Sequence, residues 1–467
     1  MKAFEAMPQS IDEAGRMLRN GSITAEGLTR DYLERIDALQ PRLNAYIAVT
    51  RERALQSARA LDGELREGRD RGPLHGIPIS YKDNIGTRGV ATTVGSEFLR
   101  HHVPDTDATI VRRLEAAGTV MLGKANMSEF ASGSSGNNAF FGAVHNPWDL
   151  ARAPGGSSSG TGAAVAAQMC LAGIGTDAGG SIRQPASRCG IFGLRPTFGR
   201  ISLAGVWPRT RSLGVAGPMT RCVKDSALIM NALAGHDPAY AYSLDAPAED
   251  YTRELDSGIA GMKLGIVKNY TFSDIDPEIE QVLREAIKVL ERLGADIVTV
   301  AVAELTGALE YSSLFRDVLL YEFNDILGKQ YRNADRALFG PAVHSDIARG
   351  AEVSPEAYRK VLAERPLQSA AVKKVFATVD ALLAPVLPNT TPLQTAGPEV
   401  WARGRQFNLP FSFIGVPSAS VPCGFALDMP LGLQIVANDR QESTLLRVAA
   451  AFESATDHHK RHPPHAP

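Results

Sequence analysis

Leu264-Gly265-Ile266-Val267, then Pro277 to Leu293 closed by Gly294, then Asp296-Ile297-Val298-Thr299-Val300 form the stretch that decides the fold class. The first and last runs are short, apolar and rich in β-branched residues, as strands are. Between them Ile279, Val282, Leu283, Ala286, Leu290 and Leu293 fall on one helical stripe, with Pro277 inside the start and Gly294 as the stop. Strand, helix and strand in close succession predict an α/β sheet covered on both faces. Downstream, Ala381 to Leu387 and Gly432 to Val436 read as buried strands, and Glu442 to Ser454 as a closing amphipathic helix. Upstream, the first seventy residues read as helices. Ser10-Ile11-Asp12-Glu13 fits a capping box, Leu28, Tyr32, Leu33, Ile36 and Leu39 share a face, and a charged helix runs from Arg51 to Gly68. Between Gly72 and about Gly217 short runs (Ile77 to Tyr81, Val120 to Leu122) alternate with Gly/Ser clusters and a small-residue helix, Thr161 to Leu171. No repeat and no linker divides the chain, so one large domain is expected.

Composition narrows the function. Lys plus Arg is 49 and Asp plus Glu is 51, so a net charge of −2 supplies no general attraction to nucleic acid or anionic membrane. The longest apolar stretch, Ala163 to Gly175, is too short to span a bilayer. Met1-Lys2-Ala3-Phe4-Glu5 carries an acid at once and no apolar run, unlike a signal peptide. Cys170, Cys189, Cys222 and Cys423 lie far apart with no Cys-x-x-Cys, which builds neither a zinc site nor a disulfide framework. The expectation is a reduced, cytoplasmic protein. Four of the ten histidines fall among the prolines of His458 to Pro467, a tail expected to be disordered. No His-Glu-x-x-His or Ser-x-x-Lys occurs, so the metallohydrolase and penicillin-binding-protein readings lack their motifs, and with no ligand motif neither metal nor cofactor is expected.

Three segments carry chemistry. Gly155-Gly156-Ser157-Ser158-Ser159-Gly160-Thr161-Gly162 leads straight into an apolar small-residue helix, which argues for close packing over a flexible linker. It also fits Gly-x-Ser-x-Gly, but the preceding Asp149 to Pro154 makes a poor strand for a nucleophile elbow. A P-loop fails because Thr161 follows Gly160. In Gly175-Thr176-Asp177-Ala178-Gly179-Gly180-Ser181-Ile182-Arg183, small residues before a serine can turn several N–H groups into one volume, as an oxyanion hole requires. A plain turn capped by Ser181 reads equally well. In Ile77-Pro78-Ile79-Ser80-Tyr81-Lys82-Asp83-Asn84, a lysine ends an apolar strand, where an unpaired ammonium is costly; snorkelling or pairing with Asp83 is the plainer reading.

In this order and spacing, Lys82-Asp83-Asn84, Gly155-Gly156-Ser157-Ser158 and Gly179-Gly180-Ser181-Ile182-Arg183 resemble the amidase signature family. Gly123 to Phe130, Asn146 to Asp149, Gly217 to Thr220, Pro417 to Pro422 and Pro430 to Gln434 extend the likeness from about residue 8 to about 455. The resemblance implies a large central mixed β-sheet covered by helices, a single domain over 1–457, and a signature core over about 72–220. It implies a Ser–cis-Ser–Lys triad: Ser181 the nucleophile, Ser157 the bridge after a cis peptide bond, Lys82 the base. Backbone N–H groups of Ala178, Gly179, Gly180 and Ser181 would form the oxyanion hole, Asp177 and Arg183 would brace it, and Ser159 would assist the bridge. Lysine serves as a base only when neutral, so burial must bring its pKa from roughly 10.4 towards about 7–8.

The branch is harder to read. The A subunit of the glutamine-dependent amidotransferase, which feeds ammonia to misacylated tRNA on a partner chain, is one alternative. Ser157-Ser158-Ser159 and Ile201-Ser202-Leu203-Ala204-Gly205-Val206 depart from that branch's usual runs. They favour a free-standing hydrolase of aliphatic or aryl amides, carbamates (a urethanase) or esters, a monomer or homodimer whose partner is a small molecule, without nucleic acid or membrane. Ser132, Gly133, Trp207 and Phe407 are the substrate-binding candidates, the last with Leu409, Phe411 and Phe413 as an apolar wall or as plain core.

Overall fold

In the computed structural model, residues 7–306 and 308–466 are described. The reading of Met1 to Glu5 lies outside them. The strands are β1 (Tyr46–Val49), β2 (Pro78–Lys82), β3 (Val120–Ala125), β4 (Ala172–Asp177), β5 (Phe192–Arg195), β6 (Val215–Thr220), β7 (Lys263–Val267), β8 (Asp296–Val300), β9 (Ala381–Pro385), β10 (Ser418–Ala426) and β11 (Met429–Ala437). They form one 11-stranded sheet in the order β1-β3-β2-β4-β6-β5-β10-β11-β9-β7-β8. The sheet is mixed: β3, β2 and β4 run parallel, as do β9, β7 and β8, while the middle from β4 through β6, β5, β10 and β11 to β9 is antiparallel. The predicted α/β class is the observed one.

Local chemistry explains most elements. Ser10 Oγ caps the helix Ile11–Arg19 by accepting the Glu13 N–H at 3.1 Å, while Glu13 reaches back to the Gln9 N–H at 2.7 Å rather than to that of Ser10. Helix Pro277–Arg292 starts on its proline and buries Ile279, Leu283, Ala286 and Leu290; Val282 and Leu293 sit at the margin. Helix Glu442–Ser454 has the predicted bounds. The small-residue helix is shorter and earlier than expected, Ser159–Ala166, because the chain must turn into β4 at Ala172. The tail differs from expectation. Residues 458–466 lie against the body: Arg35 donates to the Ala466 carbonyl at 2.9 Å, and Ala466 is buried. Among the described residues, no helix is long and apolar enough to cross a membrane.

What positions the site is how closely the helix Ser159–Ala166 approaches the sheet. A Cβ on Gly160 would stand 2.2 Å from the Ala45 carbonyl oxygen and 2.6 Å from Asn126 backbone atoms. A Cβ on Gly173 of β4 would stand 2.4 Å from the Thr161 methyl. Neither collision involves a side chain with much room to swing away. Gly160→Ala is therefore expected to cost at least about 1–3 kcal/mol of stability, read as a lowered denaturant midpoint; a wild-type midpoint would contradict this close approach.

Candidate active site

β2 and β4 are parallel neighbours, so their carboxyl ends, Lys82 and Asp177, open on the same edge of the sheet. Parallel interior strands are covered on both faces, and every residue of β2 is buried. Lys82 therefore ends in an apolar surround with 0% exposure. Its Nζ donates to Ser157 Oγ at 2.7 Å and to Thr176 Oγ1 at 2.9 Å. Burial pushes its pKa down to about 7, partly opposed by the Asp177 carboxylate. The plainer readings for Lys82 do not hold: it neither snorkels nor pairs with Asp83. That carboxylate accepts from the Thr93 N–H at 2.9 Å and lies 3.8 Å from Lys124.

Ser157 follows a cis peptide bond from Gly156 and lies just before the helix Ser159–Ala166. Ser181 lies in the turn between β4 and the helix Arg183–Cys189, and its carbonyl accepts the Ser158 N–H at 3.2 Å, which ties the two serine loops together. Both serines line one cavity. Asp177 holds the second loop. Its carboxylate accepts from the Gly180 N–H at 2.7 Å and the Ile182 N–H at 3.1 Å, and meets Arg183 at 3.1 Å and Arg195 at 3.5 Å. Burial alone would raise its pKa, but the two guanidiniums hold it well below the usual carboxylate range. Arg183 passes the constraint on to Gln434 at 2.8 Å and Ser412 at 2.6 Å.

Two expectations for this loop change. The Gly180 N–H is consumed by Asp177, so of the four expected oxyanion donors Ala178, Gly179 and Ser181 keep N–H groups without a protein acceptor among the described residues. Ser159 Oγ, expected to assist the bridge, is buried with no hydrogen-bond partner among them.

Of the substrate-binding candidates, Ser132, Gly133 and Trp207 line the cavity. Phe407 does not. It is 1% exposed and stacks edge-on to Tyr270 at 5.2 Å, and Phe411 and Phe413 are core as well. Leu409, named with them, does line the cavity; the rest of the wall comes from segments in which the sequence shows no motif. Phe315, Arg316 and Leu319 come from the helix Ala308–Asn333, Asp346 and Arg349 from the helix Pro341–Glu352, and Arg209 and Arg405 from loops. Glu129 fastens the second helix to the signature core by accepting the Gly340 N–H at 2.8 Å and the Ser96 hydroxyl at 2.6 Å. Arg209 lies over the Phe323 ring at 3.6 Å and pairs with Asp346 at 2.6 Å. The mouth thus carries four guanidiniums, of which Arg209 pairs with Asp346 and Arg316 with Asp317 at 3.5 Å, leaving Arg349 and Arg405 without an ion pair among the described residues. These side chains meet only in the fold. Thr176 carries no signal in the sequence beyond standing directly before Asp177, and only the pairing of β4 with β2 brings it to Lys82.

A family model described as Amidase matches residues 27–446. The glutamyl-tRNA(Gln) amidotransferase A subunit of Synechococcus sp. (strain JA-3-3Ab) is 40% identical over 96% of this chain and 92% of its own length. The structure of the corresponding Thermotoga maritima protein superposes with a TM-score of 0.77 at 33% identity, covering 92% of this chain and 91% of that one. A structure described as an unexpected vestigial protein complex revealing the origins of an s-triazine catabolic enzyme gives a TM-score of 0.90 at 30% identity, covering 95% and 98%. These findings overturn the preference for a free-standing hydrolase. The departures at Ser157-Ser158-Ser159 and Ile201 to Val206 are local, whereas the likeness to the amidotransferase chains runs the length of the protein. The expectation of a small-molecule partner without nucleic acid falls with it, because those relatives are named as subunits of a glutamyl-tRNA(Gln) amidotransferase.

A lysine with a pKa near 7 should leave a kinetic signature. Amide turnover should fall about tenfold per pH unit below that value and stay level above it. Lys82→Arg keeps a charge of similar reach but cannot deprotonate in this range. It should lose at least about a thousandfold, and near wild-type turnover would assign the base elsewhere.

Proposed function

Because this chain belongs to the amidase family, enzymes acting on carbon–nitrogen bonds, we propose that it is the ammonia-producing A subunit of a glutamine-dependent aminoacyl-tRNA amidotransferase. It cleaves the side-chain amide of glutamine and passes the ammonia to partner chains that hold the tRNA. The likeness to the Synechococcus protein over 96% of the chain supports the branch. The observation that carries the substrate is the mouth above Ser181. With Arg209 paired to Asp346 and Arg316 to Asp317, Arg349 and Arg405 are left over, a balance that suits an amide bearing a carboxylate. Glutamine offers a carboxylate to Arg405 and Arg349 and an ammonium to Asp346, with its amide reaching inward.

The proposed reaction runs through Lys82, Ser157 and Ser181. Neutral Lys82 takes a proton from Ser157, which takes one from Ser181 as the Ser181 oxygen bonds to the amide carbon. The developing oxyanion lies against the free N–H groups of Gly179, Ser181 and Ala178. Ser157 returns a proton to the leaving nitrogen, the carbon–nitrogen bond breaks, and ammonia departs. Water enters by the same relay, cleaves the ester and releases glutamate, leaving Ser181 protonated as it began.

Charge-assisted hydrogen bonds contribute roughly 1.5–3 kcal/mol each. Purified protein, alone and with its partner chains, should therefore use glutamine at least about a hundredfold more efficiently than propionamide, which lacks the carboxylate. Arg405→Ala should raise the glutamine KM about tenfold or more and leave propionamide hydrolysis unchanged. Equal efficiency on both amides, or an unchanged glutamine KM in that variant, would refute the assignment.

A further inference from the structure

A neutral amine has two N–H groups and one lone pair. For Lys82 to take the Ser157 proton, the lone pair must point at Ser157 Oγ, 2.7 Å away, and an N–H must find an acceptor elsewhere. In the described residues Lys82 Nζ has one other hydrogen-bond partner, Thr176 Oγ1 at 2.9 Å. That oxygen also receives the Asn84 amide at 3.2 Å, and the same amide nitrogen reaches the Trp207 carbonyl at 3.4 Å. An amide nitrogen only donates, so Thr176 Oγ1 is an acceptor on that side. A threonine hydroxyl has two lone pairs. With Asn84 on one and Lys82 on the other, its own hydrogen is turned away from the lysine.

We infer that Thr176, held by Asn84, is a positioning residue that fixes the Lys82 lone pair on Ser157. The opposite polarity, with Thr176 donating to Lys82, would occupy the lone pair that the relay needs. Threonine suits the task because its branched Cβ restricts χ1 in a strand. Charge reaches Lys82 from Asp177, itself held by Arg183 and Arg195, while Asp83 faces Thr93 and Lys124. The hydroxyl therefore acts on the lysine beside a fixed electrostatic background. This inference rests on the reading of Lys82 as the base, and not on glutamine as the substrate.

The test follows the rate at which phenylmethanesulfonyl fluoride labels Ser181, against pH, by intact-protein mass. Thr176→Val keeps the shape and removes the acceptor. The plateau rate should fall about 10- to 100-fold, because the lone pair is no longer directed. The acid limb should also move to lower pH by about half a unit or more, because the ammonium form loses an acceptor. Thr176→Ser should keep the wild-type limb and most of the rate, and Asn84→Ala should shift both in the Val direction by less. A wild-type profile for Thr176→Val would overturn the inference. So would a rate loss with an unmoved limb that Thr176→Ser fails to restore, since that is the mark of packing alone. Lys82→Met labelled at the wild-type rate would remove the base reading and this inference with it, a failure distinct from either Thr176 result.

Discussion

The desolvation of one amine governs the site. Lys82 closes a strand whose five residues are all buried, and its nearest oxygens are hydroxyls, not a paired carboxylate. Lys124 supplies the contrast within the same protein. It is equally buried, but Asp83 lies 3.8 Å away and offsets part of the burial, so its pKa comes down to about 8 against about 7 for Lys82. Burying an ammonium without a close counter-charge costs enough that the group gives up its proton instead. For stability, that cost is a burden. In the proposed acyl transfer it yields an amine that can give up its proton near pH 7 and so serve as the base.

The rest of the site keeps that amine dry and aimed. Glycines at 160 and 173 let the helix that follows Ser157 lie against the Ala45 and Asn126 backbone and against β4. On the other side Asp177 gathers two backbone N–H groups and two arginines, shaping the loop that ends in Ser181. Asp177 also uses up the Gly180 N–H, so the carboxylate that braces the loop chooses which neighbouring amides stay free. Positioning and electrostatics are here the same set of bonds.

Much of this was legible in the sequence, and the reasons are local. Helix Glu442–Ser454 and the Lys263–Val300 unit announce themselves through periodicity, Pro277 and Gly294. Lys82, Ser157 and Ser181 were drawn together by the family resemblance; their own surroundings left a snorkelling lysine and a plain turn at Ser181 as open readings. β4 and β6 were not legible: Ala172-Gly-Ile-Gly-Thr-Asp and Val215-Ala-Gly-Pro-Met-Thr lack alternation, being buried on both faces. The helices Ala308–Asn333 and Pro341–Glu352 carry two of the four arginines of the mouth, and these side chains converge only through tertiary packing. Phe407 went the other way, since its apolarity fits a pocket wall and a core equally well. The tail misled through its composition, because histidine and proline content says nothing of the Arg35 bond to Ala466.

The reactive centre and the mouth answer different questions. The centre is built on β2, β4 and their loops, while helices beyond residue 300 supply part of the mouth above Ser181. A claim about the centre is therefore testable without knowing the substrate. Titrating protein labelled with 13C at the lysine Cε position, with the Lys82 resonance assigned by its absence in Lys82→Arg, measures that amine directly. The account predicts a Lys82 transition near pH 7, well apart from the exposed lysines near 10.4. A Lys82 resonance that keeps its charged position up to pH 10 would contradict it.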